Sequence, residues 1–341
     1  MSSLQVYFIC AGYRTGSTFL WSLCDLDENT TAIYEPLHPD LDRRVNRPPS
    51  VESSHKHVTD YFQFFRLGKT SPKLLGWSPD LALSNFWLTE DDQFDALRHY
   101  ISKLIERAPT SKVVIQFNRC CFRMNWLSRN FPEATIVSLH RSPHDQFSSI
   151  RRNVPSDERN RYRYDTFYLL TELSMLLAEA PAVFADVSEF DIREAFSRMW
   201  LFHQAEAERF AKFTFYYDEI LAHPASAIEE LCRSGLLDFA LMKKYLAKLS
   251  SPREKPDTPS AEKEFNEIFS RQRDRYCNSK LGDLCKHGGT KNDIRQMVHE
   301  GILHQCNTVS SELANMRSSK FILWWYGKFI NPNIYGTPND L

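Results

Sequence analysis

The fold is decided by residues 6–20, which read VYFICAGYRTGSTFL. A short apolar run of strand-forming residues ends at small residues, and a segment that can begin a helix starts at Ser17. Glycine lets the backbone approach an anion closely, and the N–H groups at a helix N-terminus bind it. Arg14 adds a permanent positive charge whose planar guanidinium suits phosphate or sulfate oxygens. The stretch therefore predicts a buried strand, an anion-binding loop and a helix.

Two widespread nucleotide-binding loops do not fit this stretch. Gly12 and Gly16 are one residue too close for the G-x-x-x-x-G-K-[ST] loop of nucleoside triphosphatases, and no lysine precedes Ser17. The spacing also differs from the G-x-G-x-x-G of dinucleotide-binding proteins. The alternative to an anion-binding loop is a helix N-cap that binds no ligand, because serine and threonine are common at that position.

Further strands alternate with helical segments along the chain. The predicted strands after the first are short apolar runs, at residues 31–34, 112–117, 134–139 and 213–217. Helical periodicity occupies much of the intervening sequence, for example residues 90–108 and 192–212. This alternation predicts a three-layer α/β fold with a central parallel sheet and helices on both faces.

Length and composition guide the domain organisation. The chain has 341 residues, of which 42% are hydrophobic and 25% charged, as in globular proteins with a full core. We interpret residues 1–341 as one domain, with a core over residues 5–224 and a helical C-terminal region over residues 225–341. Residues 37–90 contain few periodic elements and are typical of a lid-like insertion. The aromatic side chains of this insertion either line an acceptor pocket or fill the core of the lid.

Charge and hydropathy exclude several classes of protein. A formal net charge of −1 argues against nucleic-acid binding through overall attraction. No apolar run approaches the roughly 18 residues that span a bilayer, and the N-terminus lacks the pattern of a secretory signal. Eight cysteines are too few for a disulfide scaffold, so buried free thiols are expected. We therefore expect a cytoplasmic protein with no membrane span and no nucleic-acid partner.

A second anion site is predicted where residues 139–152 read LHRSPHDQFSSIRR. Arg141 follows the fourth strand, at the edge where open α/β sheets bind ligands. With a helix beginning near Pro143, Ser149 lies almost two turns along it, so that Arg141 and Ser149 can share one anion. A solvated basic helix face is the alternative for this segment.

Together the two segments resemble the sulfotransferases that use 3′-phosphoadenosine-5′-phosphosulfate (PAPS). The family's second motif is Arg-x-Pro-x-Asp with a serine eight positions after the arginine, and it matches Arg141, Pro143, Asp145 and Ser149. The later stretch FYYDEILAHP, residues 215–224, is similar to the family's Tyr-Glu-Asp-Leu-x-x-x-Pro segment. These matches follow the family's order over residues 6–224, and the resemblance implies a P-loop-like fold.

The resemblance implies roles for both anion sites. The 5′-phosphosulfate would be held by consecutive residues of the first loop, namely Arg14, Thr15, Gly16, Ser17, Thr18 and Phe19. Arg141 and Ser149 would bind the 3′-phosphate. An arginine-bearing loop is common in carbohydrate-type and bacterial members, and Arg14 is the candidate for stabilising the bridging oxygen and the sulfuryl group. No metal is required in this scheme, because the loop supplies the cation.

The candidate general base follows the second strand, where residues 33–38 read IYEPLH. This segment resembles the Phe-Glu-Pro-Leu of carbohydrate-type members, in which a glutamate lies after the second strand. Glu35 is therefore the preferred candidate for the general base, and His38 is the second candidate. A structural ion pair between Glu35 and a nearby arginine is the alternative. Arg119, after the third strand, is either a sulfuryl or acceptor contact or a surface residue.

The expected function is in-line transfer of the sulfuryl group from PAPS to a hydroxyl of a soluble carbohydrate or other small molecule. A lipid, an alkaloid or an amine is the alternative acceptor. A nucleotide-dependent kinase and a catalytically silent nucleotide-binding protein are the alternatives from other classes. The sequence does not decide whether the protein forms a homodimer. It also does not decide whether zinc binds among the C-terminal residues Cys277, Cys285, His287, His299, His304 and Cys306.

Overall fold

The computed structural model describes residues 4–39, 41–46, 71–152, 172–173, 175–176, 179–180, 192–249 and 259–277. Within these ranges the strands are β1 Gln5–Ala11, β2 Thr30–Tyr34, β3 Lys112–Phe117, β4 Thr135–His140 and β5 Phe213–Tyr216. They form one parallel sheet in the order β2-β3-β1-β4-β5. The predicted parallel sheet is confirmed, and every predicted strand boundary agrees to within one residue.

Helices fill the connections between these strands. In chain order the α-helices are α1 Ser17–Cys24, α2 Leu41–Asn46, α3 Asp80–Leu83, α4 Asp95–Glu106, α5 Met124–Asn130, α6 Pro143–Arg152, α7 Ile192–Phe210, α8 Tyr217–Ala222, α9 Pro224–Arg233, α10 Met242–Leu249 and α11 Pro259–Cys277. Two 3₁₀-helices occur at Pro72–Leu75 and Phe239–Leu241 in the described chain.

The sheet has apolar cores on both faces, because successive strand residues point to opposite sides. One core holds alternate residues of β1, namely Val6, Phe8 and Cys10, and packs against α4 and α5. The other core holds the residues between them, namely Tyr7, Ile9 and Ala11, and packs against α1 and α9. The three-layer α/β architecture is therefore confirmed. A further apolar core joins α6, α7 and α11.

One predicted helix begins later than expected. The periodic segment 90–108 forms a helix only over Asp95–Glu106. The Asp92 carboxylate accepts hydrogen bonds from both the backbone N–H and the hydroxyl of Thr89, at 2.8 and 3.0 Å. This local turn competes with the helix for the same residues, since aspartate side chains readily bond nearby backbone groups.

Several predictions concern residues only partly covered by the structure. The C-terminal region is helical through α9, α10 and α11, whereas residues 278–341 lie outside the described part, so the single-domain interpretation stays a prediction. The zinc candidates other than Cys277 also lie outside it. The described free cysteines are all buried, as expected, and comprise Cys10, Cys24, Cys120, Cys121 and Cys232. None of the described helices is both long and apolar enough to cross a membrane.

Candidate active site

The site lies where the parallel strands end. Carboxyl ends of parallel strands meet at one edge of a sheet, and open α/β sheets bind ligands there. Gly12 follows β1, Glu35 follows β2 and Asn118 follows β3. Arg141 follows β4, and Tyr217 follows β5. The strand order thus brings both predicted anion sites and the candidate base to one edge.

The anion loop between β1 and α1 has an unusual backbone. Arg14 has φ of 62° and Gly16 has φ of 90°, both in the left-handed region. Gly16 is the N-cap of α1, and no side chain caps the helix there. A Cβ atom at Gly16 would lie 2.3 Å from the Tyr217 ring, so only glycine fits. The N-terminus of α1 therefore presents its N–H groups without competition from a capping side chain.

Hydroxyl groups of the loop hold it in place. The Oγ1 of Thr15 donates to the carbonyl of Gly12 at 2.8 Å. The Oγ1 of Thr18 and the phenol oxygen of Tyr34 share a hydrogen bond at 2.6 Å. Phe19 makes an edge-on contact with the Tyr217 ring, with 5.9 Å between ring centroids. These contacts connect the loop to β2 and to the segment after β5.

Arg14, Arg141 and Ser149 meet at the second anion site. The Nε of Arg14 donates to the Oγ of Ser149 at 2.9 Å, and the Nη1 of Arg141 donates to the carbonyl of Arg14 at 3.3 Å. Ser149 is only 1% exposed and lies on α6. The Arg14 guanidinium therefore meets the Ser149 hydroxyl, and the Arg141 guanidinium meets the backbone of Arg14. Guanidinium and hydroxyl donors are suited to an anion.

The segment after β5 supports Arg141. Asp218 Oδ2 accepts a hydrogen bond from the backbone N–H of Ser142, and Asp218 Oδ1 lies 3.8 Å from Arg141 Nε. The Arg141 guanidinium also stacks over the Tyr217 ring, 5.5 Å from its centroid. Trp200 donates from Nε1 to the Arg141 carbonyl at 3.0 Å. The stretch FYYDEILAHP thus orients the second anion site, although the sequence assigned no role to Asp218 or Tyr217.

Glu35 is connected to the anion loop through Asn118. The Nδ2 of Asn118 donates to Glu35 Oε1, and the Oδ1 of Asn118 accepts from Ser17 Oγ at 3.2 Å. Gln116 Nε2 donates to the same Oδ1. Glu35 is buried and has φ of 43°, a strained conformation for a residue with a side chain. Sequence reasoning missed Asn118, although its place directly after β3 is the same signal that selected Arg141.

His38 and Arg119 are both buried beside this group. The backbone N–H of His38 donates to the carbonyl of Glu35 at 3.0 Å. Arg119 is 2% exposed, so the prediction of a surface residue is wrong. Its guanidinium lies over the Tyr13 ring at 5.0 Å, and its Nη1 donates to the carbonyl of Leu37 at 3.4 Å. Arg119 therefore borders the Glu35 end of the candidate site from within the protein.

The chain is similar to known sulfotransferases. A family model described as the sulfotransferase family matches residues 7–240, which include all the site residues named above. Among solved structures, the chain is similar to sulfotransferase STF9 from Mycobacterium avium at 16% identity and a TM-score of 0.44, over 80% of this chain and 77% of that chain. No curated protein sequence matches the chain. Because the family model covers more than half of its length, the chain belongs to the sulfotransferase family.

Proposed function

We propose that this protein transfers the sulfuryl group of PAPS to a hydroxyl of a small-molecule acceptor, with Glu35 as the general base. The observation that carries the proposal is the pairing of two anion-binding groups at one sheet edge. The uncapped N-terminus of α1 with Arg14 is the first, and Arg141 with Ser149 is the second. A nucleotide with anionic groups at both its 5′ and 3′ positions presents two such anions.

The residues present fit this donor. Arginine forks and hydroxyls are suitable partners for phosphate and sulfate oxygens, and helix N-termini bind such groups through backbone N–H. Arg14 belongs to the first anion-binding group, and its Nε also donates to Ser149 of the second, so its guanidinium can bind an anion at either. When bound, PAPS supplies an activated sulfuryl group on a phosphate leaving group. In the described residues, no histidine, cysteine and carboxylate cluster is arranged to hold a metal ion.

Glu35 is placed to accept the acceptor's proton. Its carboxylate is buried at the strand edge, and the Asn118 amide fixes one of its oxygens. A base held in position beside the reacting hydroxyl contributes about 10²–10⁴-fold to a rate. Arg14 stabilises the negative charge that develops on the bridging oxygen and the sulfuryl group, and stabilisation of this kind is the larger contribution in many transfer enzymes. His38 stays the second candidate for the base.

The first experiment measures calorimetric binding of adenosine 3′,5′-bisphosphate, AMP and ATP. We expect the bisphosphate to bind most tightly, and Arg141→Met to remove that preference. Equal affinity for AMP would overturn the donor assignment. Binding of ATP with magnesium-dependent turnover would favour the kinase alternative instead.

The second experiment follows transfer from labelled PAPS. We expect Glu35→Gln to reduce turnover by about 100-fold or more while bisphosphate affinity stays unchanged. Glu133→Gln at an exposed position is the matched control and should behave like the wild type. Near-normal rates for Glu35→Gln, with loss of activity in His38→Gln, would move the base to His38. Bisphosphate binding without transfer to any acceptor would favour the silent nucleotide-binding alternative.

A further inference from the structure

A narrow cavity borders the catalytic end of the site. Tyr13 and Asn118 line it, and Asn118 also holds Glu35. Most of the remaining wall is apolar, made of Phe86, Cys121, Phe122, Ile150, Phe196, Met199 and Trp200, and it is completed by Gly12 and by the polar residues Gln146, Glu172 and His203. Apolar pockets with a few polar groups are the usual form of small-molecule sites. The position of Phe86 in the wall means that the insertion contributes to this cavity.

One carboxyl group in the cavity wall lacks a hydrogen-bond partner. Glu172 is 5% exposed, and its Oε1 has no such partner among the residues that the structure describes. The Nε of Arg119 lies 3.9 Å from this oxygen, beyond hydrogen-bond distance. Buried polar atoms usually have a partner, so an orphaned one beside a cavity is satisfied there by a water or by a polar group of a ligand.

Burial favours the neutral form of Glu172. Burial raises the pKa of this carboxyl to about 8, with Glu35 adding to the rise, while Arg119 and Arg123 lower it. Cys121 and His203 also line the cavity, and burial keeps the thiol and the imidazole neutral by raising the pKa of Cys121 and lowering that of His203. At neutral pH the Glu172 carboxyl therefore carries a proton and can both donate and accept a hydrogen bond.

We infer that the acceptor is an apolar alcohol or phenol with a second polar group, and that Glu172 determines acceptor specificity by hydrogen bonding that group. The inference rests on the proposed function and selects among the acceptor classes that the sequence left open. A sugar carries a hydroxyl on nearly every carbon, and those that face the seven apolar side chains of this wall would lose water without gaining a partner. An apolar body gains from burial against it instead.

The cavity must widen to hold such a molecule. Its volume is about 20 Å³, which is room for one water. Met199 is the most adaptable side chain of the wall, because methionine is unbranched and changes rotamer readily. The acceptor's reacting hydroxyl would lie at the Asn118 end beside Glu35, with its apolar body against the apolar wall and its second polar group at Glu172.

The test compares labelled sulfuryl transfer to para-nitrophenol, dihydroxynaphthalene, octanol and methyl glucoside. We expect dihydroxynaphthalene, which has a second hydroxyl, to have the highest kcat/KM and methyl glucoside the lowest. Glu172→Leu should raise the KM for dihydroxynaphthalene about tenfold with little change in kcat, as expected for one lost hydrogen bond. Glu172→Gln should restore the wild-type KM, because an amide also donates and accepts.

A pH profile separates a binding role from a structural one. The wild-type KM for dihydroxynaphthalene should change as the pH passes about 8, because Glu172 loses its proton and can then only accept hydrogen bonds, whereas the Glu172→Gln profile should stay flat over the same range. Glu206→Leu is the matched control, because Glu206 is equally buried and its pKa is also raised to about 8, but it does not line the cavity. This variant should keep the wild-type KM.

The outcomes distinguish this inference from the proposed function. Absence of bisphosphate binding would overturn the proposed function. Bisphosphate binding with preferred transfer to methyl glucoside, or an unchanged KM in Glu172→Leu, would overturn the inference alone. If no acceptor is turned over, dihydroxynaphthalene is titrated calorimetrically into the bisphosphate-saturated protein. Binding that weakens about tenfold in Glu172→Leu supports the inference, and equal or absent binding overturns it.

Discussion

The Nε of Arg14 donates to the Oγ of Ser149 at 2.9 Å across 135 positions of sequence. Arg141 donates to the carbonyl of the same arginine, so the two anion-binding segments contact each other directly. Arg14 was expected at the sulfuryl group from the sequence alone, yet here its side chain reaches the residue expected to bind the 3′-phosphate. Binding at one anion site is therefore structurally connected to the other.

Ser149→Ala should weaken binding of adenosine 3′,5′-bisphosphate by roughly tenfold to a hundredfold, because a hydrogen bond to a charged group is lost. AMP, which lacks the 3′-phosphate, should bind both proteins equally. Calorimetric titration measures both. Ser148→Ala is the control, since its hydroxyl bonds to His144 Nε2 at 3.3 Å instead. An equal loss of AMP affinity would mean that the substitution perturbs the whole loop.

Asn118→Ala should lower kcat by about 10²-fold and leave bisphosphate affinity within a few-fold of the wild type. The amide orients Glu35 without itself reacting, so the defect should appear in turnover. Single-turnover transfer from labelled PAPS measures it. Asn130→Ala, which removes only a local bond to the Trp126 carbonyl, should stay fully active. A full rate for Asn118→Ala would exclude a positioning role for this amide.

Gly16→Ala should destabilise the fold by more than Gly76→Ala and abolish nucleotide binding. Both glycines have positive φ, at 90° and 93°, so each substitution costs about 1 kcal/mol in backbone strain. A Cβ at Gly76 would meet His99 at 3.4 Å, whereas a Cβ at Gly16 would overlap the Tyr217 ring. Urea unfolding of the two variants compares them directly. Equal loss of stability would mean that Tyr217 moves aside without cost.

Glu206→Gln should become more stable relative to the wild type as the pH rises from about 5 to about 8. Burial raises the pKa of the Glu206 carboxyl to about 8, with Glu90 adding to the rise and Arg209 lowering it. The proton bound in the folded state stabilises it fully below the ordinary glutamate pKa, and this stability is lost as the pH rises toward the folded pKa.

The expected slope is up to about 1.4 kcal/mol per pH unit, and glutamine has no such proton to lose. Free energies of unfolding in urea at several pH values measure the difference between the two proteins. Comparing each variant with the wild type at the same pH cancels the contributions of Glu172, His140 and His203, which also titrate abnormally. A constant difference across this range would contradict the prediction.

Much of the fold could be predicted from local sequence. Runs such as residues 112–117 combine strand-forming residues with flanking turn residues. Because both faces of these strands are buried, their sequences are largely apolar, which identifies them as strands. The order of the strands in the sheet could not be read from periodicity, because it depends on contacts between distant segments. The late start of α4 depends on the Asp92 side chain, which bonds Thr89 in a way that hydrophobic spacing does not reveal.

The candidate site was predictable where a motif carried it. Arg14, Arg141 and Ser149 belong to spaced patterns, and the structure places them together. Asn118 and Glu172 belong to no sequence motif. The roles proposed for them depend on their burial and on their neighbours, which are brought together only by the fold. The cytoplasmic location stays a prediction, and the sequence and the structure leave open whether the protein forms a homodimer or binds zinc.

The backbone at Arg14 and Glu35 has a consequence for laboratory evolution. Each holds a left-handed conformation that glycine adopts freely, so glycine at either position would relieve strain of about 1–3 kcal/mol. A library of random variants screened for heat resistance alone would therefore enrich the loss of the two side chains proposed to act on the substrate. At these two positions, selection for thermal stability favours glycine, whereas selection for turnover favours the arginine and the glutamate.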